Sequence, residues 1–386
     1  LMVAVIAPQA MAQQSDAPSG DNASEVLPLT QLADLLENDE SRAQIVDQLR
    51  QAAQSCAARA ARKEKKVQEQ ADAGELGPEQ EGLVIAHYGQ QLDVEALEGD
   101  QEGDVVRCFV RANIDSLVTG DKVVWRPGKN ETGVIVARSE RRNLLQRPDN
   151  FGALKPVAAN IDHIILVIAP EPEPHDNLID RYLVASEITD IPAVILLNKT
   201  DLINESNREY IDALLGRYEA LGYEVVRTSA AESGDKPSPE VEALVKDQTS
   251  VFVGQSGVGK SSIIQTLMPD EAIRVGAVSE STGKGIHTTT TAKLFHLPLG
   301  GDLIDSPGIR EFGLWHMTAQ EIEYGFREIR EVIGTCKFRN CRHMGDPGCA
   351  IDRAAEEGKI SPERLKSFHR ILQDMTEQQA RGLKLD

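Results

Sequence analysis

Apolar positions give the chain several distinct textures. Ile161-Asp162-His163-Ile164-Ile165-Leu166-Val167-Ile168 is a nearly unbroken apolar run, as expected of a parallel strand buried on both faces. The pattern then predicts a helix over 177–189, a strand over 191–197, a helix over 206–221, a strand over 224–228, a helix over 239–247 and a strand over 250–253. Such alternation implies a parallel sheet with helices on both faces. Between 81 and 138 the texture is different. Short Val- and Ile-rich segments, GLVIAH, VVRCFVRA, DKVVWRP and TGVIVARS, are separated by Gly, Asp and Asn turns. That is the pattern of a small antiparallel barrel or sandwich, and an OB-type barrel fits its length. Residues 361–374 read as a terminal helix.

The N-terminal part stands apart. Residues 30–71 read as a helix with an interrupted stripe (Leu32, Leu35, Leu36, Ile45, Val46, Leu49), and 15–30 as a polar linker. Gly74, Gly77 and Pro78 mark a boundary. The run LMVAVIAPQAMAQQ at 1–14 has the look of a secretory leader without a basic opening. The expected reading is a fused or misassigned gene start and a cytoplasmic protein.

Charge narrows the partners. The 386 residues carry a formal net charge of −20, so any RNA contact must come from local basic patches. Arg107, Arg111, Arg126, Arg138, Arg141, Arg142 and Arg147 collect in and just after the barrel pattern. They read equally as an RNA-facing set or as scattered surface arginines. No apolar run approaches the roughly 18 residues needed to cross a bilayer, so no membrane partner is expected.

The chemistry begins after the strand at 250–253. Gly254-Gln255-Ser256-Gly257-Val258-Gly259-Lys260-Ser261, followed by Ser262 and a helical stretch, is GxxxxGKS between strand and helix. Glycines let backbone N–H groups converge on phosphate oxygens, and the helix start adds a positive dipole. Lys260 should reach the β- and γ-phosphates, and Ser261 should ligate Mg²⁺. Asn198-Lys199-Thr200-Asp201 ends another strand. A carboxylate at Asp201 can accept from guanine N1–H and N2–H₂, a donor pair that adenine lacks. Ser229-Ala230, after the third strand, suits a backbone contact to guanine O6. Asp305-Ser306-Pro307-Gly308 is a DxxG at a strand end, with Asp305 near Mg²⁺ and the Gly308 amide near the γ-phosphate. A switch threonine should come from Thr288 to Thr291, and Thr289 is the choice for the second Mg²⁺ ligand.

The order is unusual. Familiar GTPases run P-loop, switch threonine, DxxG, NKxD, SA; here the last two come first. Joining the original ends and opening the chain elsewhere rebuilds the same sheet, because domain termini usually lie close together. Ile309 follows DSPG where Ras has a water-orienting glutamine. Unassisted turnover should therefore be slow. His287 is the imidazole nearest a switch in sequence. Farther on, Cys336, Cys341, His343 and Cys349 form C-x4-C-x-H-x5-C, a donor set suited to one structural zinc per chain.

These stretches together resemble the circularly permuted, ribosome small-subunit-dependent GTPases, the RsgA (YjeQ) family. The resemblance is carried by LVTGDKVVWRPG at 117–128, KPVAANIDHIILV at 155–167, NLIDRYLVASE at 177–187, FVGQSGVGKSS at 252–262, HTTTTAKLFHLP at 287–298, LIDSPGIREFGLWH at 303–316 and CKFRNCRHMGDPGCAI at 336–351. It implies a multidomain fold: an N-terminal β-barrel (OB-fold) over 77–150, a central circularly permuted α/β P-loop GTPase domain over 151–317, and a C-terminal zinc-binding domain with helices over 318–386. Residues 1–76 form an atypical extension. It also implies GTP and GDP as ligands, Mg²⁺ with GTP, a catalytic role for His287, zinc on the four ligands above, and a monomer. Partners would be the 30S subunit and 16S rRNA, with subunit-stimulated hydrolysis timing release late in maturation. The competing reading is a nucleotide-gated RNA-binding module whose hydrolysis is incidental.

Overall fold

The computed structural model describes residues 76–89, 91–128, 131–148, 154–269, 292–305 and 317–382. The expected N-terminal leader and helix, His287, the threonine run, Gly308 and Ile309 lie outside them.

Five strands form the first module: β1 (Gln80–Tyr88), β2 (Gln91–Ala96), β3 (Val105–Val110), β4 (Lys122–Pro127) and β5 (Thr132–Arg138). They pair in the order β1-β2-β3-β5-β4, and β4 returns to β1 to close a barrel. Alternate residues point inward, as the two-residue side-chain period of a strand requires. Val84, Leu92, Val94, Cys108 and Ile135 surround the fully buried Trp125. One pairing, β3 with β5, is parallel where the sequence pattern suggested an antiparallel barrel throughout. Strand β2 (QLDVEA) was missed in the sequence because three of its six residues are Gln, Asp and Glu. They occupy the outward positions.

A hairpin of β6 (Leu144–Pro148) and β7 (Leu154–Ala159) follows. It spans the expected 150/151 division, so that division falls within a paired unit. Next comes the larger sheet, made of β8 (His163–Ile168), β9 (Ala193–Leu197), β10 (Glu224–Arg227), β11 (Thr249–Val253), β12 (Lys293–His296) and β13 (Asp302–Asp305). Its order is β10-β9-β8-β11-β13-β12, parallel except for β12. Strand β8 shows why its run is continuously apolar. Ile164 and Leu166 belong to one core with helices α1 (Asp176–Thr189) and α2 (Arg208–Ala220). Ile165 and Val167 belong to the opposite core, with helices α4 (Pro239–Val245) and α5 (Lys260–Leu267); a one-turn helix α3 (Ala230–Ser233) precedes them.

The C-terminal segment adds α6 (Ala319–Gly325), α7 (Arg327–Arg330), α8 (Ala350–Glu356) and the long α9 (Pro362–Gly382). Of these, α6 and α9 pack on α1, and Phe326 and Phe368 meet edge to face at 5.3 Å. Arg364 of α9 is buried between two carboxylates, pairing with Asp180 of α1 and with Glu328 at 2.6 Å. The Tyr218 hydroxyl donates to Asp180 at 2.7 Å. Arg327 and Arg330 both hold Glu187, at 2.6 and 2.7 Å. Among the described residues, no helix is long and apolar enough to cross a membrane.

A candidate nucleotide site and a candidate metal centre

In the larger sheet the chain leaves β8 toward β9 on one side, while β11 is followed by β13 on the other. The C-terminal edge at such a switch point is where open α/β sheets take their ligands. The loops at this edge are the ones the motifs singled out.

Gly254 to Gly259 form the loop between β11 and α5, and Lys260 is the first residue of that helix. Ser256, Gly257, Ser261 and Ser262 are exposed, whereas Val258 is buried and anchors the loop. Lys260 donates from Nζ to the carbonyls of Gly254 at 2.8 Å and Gln255 at 2.6 Å, so it folds back over its own loop.

Asn198 ties that loop to the rest. It is buried at the end of β9 and donates from Nδ2 to the Val258 carbonyl at 2.9 Å. Its Oδ1 accepts from the Ala230 backbone at 3.1 Å. Gly259, at φ +95°, is required here: a Cβ would stand 2.3 Å from Asn198 Nδ2. Lys199 stretches across the loop and donates to the Gly257 carbonyl at 2.6 Å and the Glu171 carbonyl at 3.0 Å. Asp201 is exposed, and its Oδ1 accepts from the Ser229 hydroxyl at 2.5 Å. Ser229 also caps α3. The four stretches 198–201, 229–230, 254–262 and the loop around Glu171 are thus one connected unit. The Glu171 loop went unnoticed in the sequence because it contributes a backbone carbonyl, which no side-chain motif advertises.

Asp305 ends β13 at the same edge of the sheet. Val251 of β11 pairs with Ile304 beside it. The remaining expected site residues, His287, Thr289 and Gly308, fall outside the described residues.

The cysteines and histidine also converge. One ligand atom from each of Cys336, Cys341, His343 and Cys349 lies within 4.8 Å of the others. His343 Nδ1 is 3.6 Å from Cys336 Sγ and 3.5 Å from Cys349 Sγ. The opposite ring nitrogen, Nε2, faces Glu323 Oε1 of α6 at 3.6 Å. A carboxylate behind a metal-binding imidazole is a common support for such a ligand. The Ala350 amide donates to Cys336 Sγ at 3.2 Å, a bond that favours a thiolate. Burial pushes the Cys349 thiol up to about 12, so a bound cation is what would hold it deprotonated. Three sulfurs and one nitrogen at this spacing fit a tetrahedral zinc ion. Glu323 could not be found from spacing, because α6 brings it in from outside the cluster.

Four of the arginines in and just after the barrel have partners within the chain. Arg107 pairs with Asp93 at 2.5 Å, and Arg141 grips the buried Asp121 with two nitrogens at 2.6 and 2.8 Å. Arg126 donates to the Gly77 carbonyl at 2.8 Å, and Arg142 pairs with Asp162 at 2.6 Å. These four are engaged within the chain.

The family model for the RsgA GTPase matches residues 138–315. A small ribosomal subunit biogenesis GTPase RsgA from Marinobacter nauticus is 86% identical over 327 residues, covering 85% of this chain and 93% of that protein. Its counterpart from Hahella chejuensis is 58% identical over 83% of this chain and 91% of that protein. Among solved structures, YjeQ from Thermotoga maritima matches with a TM-score of 0.60 at 28% identity, over 78% of this chain and 99% of that one. YloQ, a circularly permuted GTPase, matches with 0.58 at 29% identity, over 79% and 96%. The rotated motif order, the connected loops at the sheet edge and these likenesses agree, and the chain belongs to the RsgA GTPase family.

Proposed function

We propose that this GTPase is stimulated by the 30S ribosomal subunit and acts late in small-subunit maturation, binding and leaving in step with the state of its nucleotide. The observation that carries the reading is the Asn198 side chain, which joins the 198–201, 229–230 and 254–262 loops into one site at the C-terminal edge of the sheet. The names of its RsgA relatives point to the small ribosomal subunit.

In this reading Asp201 accepts from the guanine edge, supported by Ser229, with the Ala230 backbone nearby and the Lys199 stem along the purine. The backbone of Gly254, Gln255, Ser256, Gly257, Val258 and Gly259, with Ser262, cradles the phosphates. Lys260 swings from its own loop carbonyls to the β- and γ-phosphates when nucleotide arrives. Ser261, Asp305 and Thr289 are the residues to hold Mg²⁺, which neutralises phosphate charge when bound. His287 and Gly308 complete the hydrolytic set. One zinc on Cys336, Cys341, His343 and Cys349 would cross-link the C-terminal segment.

The finer picture extends this: contact with 16S rRNA, a monomer, a cytoplasmic location, and domains divided at 77, at 151 within the β6–β7 hairpin, and at 318, after an atypical N-terminal extension. Arg107 and Arg142 pair within the chain but keep 43% and 61% of their side chains exposed, so they stay among the candidates for the RNA contact. Equilibrium competition against labelled GDP tests the site. Unlabelled GTP should displace it and ATP should not; equal displacement by ATP would overturn the guanine assignment.

A further inference from the structure

The barrel touches the GTPase sheet at β12, the strand that pairs with β13 and its Asp305. Thr119 lies in the turn 117–121, which precedes β4. Its side chain is 1% exposed and donates from Oγ1 to the Ala292 carbonyl at 2.8 Å. Ala292 directly precedes β12, and β12 pairs with β13 so that Lys293 faces Asp305. Lys293 also faces Ala86 of β1. The start of β12, the end of β13 and the barrel wall therefore meet at one point, and that point is the nucleotide end of the hairpin.

The turn itself is held from several directions. The Gly120 amide donates to the Val84 carbonyl at 2.8 Å, and the Val84 amide to the Asp121 carbonyl at 2.9 Å. The Ala159 amide of β7 donates to the Thr119 carbonyl at 3.0 Å. Gly120, at φ +90°, passes so close to β7 that a Cβ would stand 2.2 Å from the Ala159 carbonyl oxygen. The Asp121 carboxylate accepts from the Val118 amide at 2.8 Å and from Arg141. The backbone of the turn is held by the barrel and by β7, while the Thr119 hydroxyl is spent on the GTPase side. A buried hydroxyl at the centre of so many fixed bonds has little freedom to move alone.

We propose that Thr119 is a positioning residue for GTP hydrolysis: through Ala292 it registers the β12–β13 hairpin, and with it Asp305, against the barrel. This rests on the proposed reading of Asp305 as part of the Mg²⁺ site. A ligand that shifts the barrel would then shift Asp305 and the Mg²⁺ side of the site, and leave the guanine loops unchanged. The guanine loops follow β9 and β10, which are separated from β12 by β8, β11 and β13.

The test uses the full chain with Thr119→Val, which keeps shape and removes the hydroxyl, and Thr119→Ser, which keeps the hydroxyl. GTP turnover is measured with purified small ribosomal subunits across a Mg²⁺ titration, with GDP affinity measured alongside. The expected result for T119V is a fall in kcat of about tenfold and a raised Mg²⁺ requirement, because a buried carbonyl loses its donor and the hairpin shifts. KM for GTP and GDP affinity should stay within about twofold, and T119S should stay near wild type. The inference is overturned by wild-type kcat in T119V, by equal losses in T119V and T119S, or by a matching loss of GDP affinity. If T119V does not fold, Thr119→Ala is read by the same criteria, and loss of GDP binding in both also overturns it. Failure of the wild-type chain itself to turn over GTP would instead refute the proposed function.

Discussion

Asn198 and Val258 stand 60 residues apart and are joined by a 2.9 Å hydrogen bond from the Asn198 amide to the Val258 carbonyl. The same side chain accepts from Ala230 at its other end. One buried amide therefore satisfies a donor and an acceptor from two different loops, and fixes the spacing between the base-recognition and phosphate-binding stretches. A loop that moved alone would leave a buried polar group unpaired, so the three move together or stay together.

Asp201 should decide the base. Replacing its carboxylate by the amide in Asp201→Asn puts a donor where guanine N1–H and N2–H₂ need an acceptor. GTP affinity should fall about 100-fold, with ATP affinity still undetectable. The measurement is nucleotide titration on the purified chain. Unchanged GTP affinity would remove Asp201 from the site.

Glu323 should matter to the metal centre although it ligates nothing. It faces the far nitrogen of His343 at 3.6 Å, so Glu323→Gln weakens the hold on the ring orientation and basicity. Zinc retention against a competing chelator should drop about 10- to 100-fold. Cys349→Ser, which removes a ligand, should drop it further. Retention equal to wild type in Glu323→Gln would contradict the role.

Arg364 should be costly to truncate. Its guanidinium is buried against Asp180 and Glu328, and Arg364→Ala leaves both carboxylates in the interior without a cationic partner. The expected loss is about 3–5 kcal/mol in chemical denaturation. Arg364→Met combined with Asp180→Leu and Glu328→Gln, which removes the charges together, should recover most of it. If the single truncation costs no more than the combined change, burial of unpaired charge is not the cause.

His296 gives the chain a pH-dependent contact. Its Nδ1 faces Asp302 at 2.6 Å and its Nε2 faces Glu95 of the barrel at 2.5 Å. The Asp302 hydrogen bond, aided by Glu95 and opposed by partial burial, raises the ring from 6.5 to about 9. A raised value means the protonated ring stabilises the fold fully below its ordinary value, and that this support is lost as pH climbs through about 9. The ring is 52% exposed, so solvent limits the effect to roughly 1 kcal/mol or less. In thermal melts, wild type should exceed His296→Gln near pH 6.5 and converge with it by about pH 10. A gap that holds constant across that range would contradict the assignment.

Much of this was legible along the chain because the signals are local. The run Ile164–Ile168 declared a doubly buried strand, and GQSGVGKS and NKTD declared loops by their own residue types. Strand β12, a polar-flanked KLFH segment, and β2 were not legible, because each takes its conformation from the strands beside it. The partners of the barrel arginines were hidden for the same reason. Whether Arg141 faces solvent or Asp121 depends on a turn 20 residues away, and spacing alone does not reveal it. Glu323 and Thr119 escaped notice because each meets its partner only after the chain has folded.

A guanine site whose turnover answers to the small ribosomal subunit is the central proposal. GTP hydrolysis by the full chain, measured with and without purified small subunits, tests it most directly. Turnover should be slow alone and rise by about tenfold or more with subunits, for GTP and not for ATP. Equal rates in the two conditions, or equal use of ATP, would contradict it.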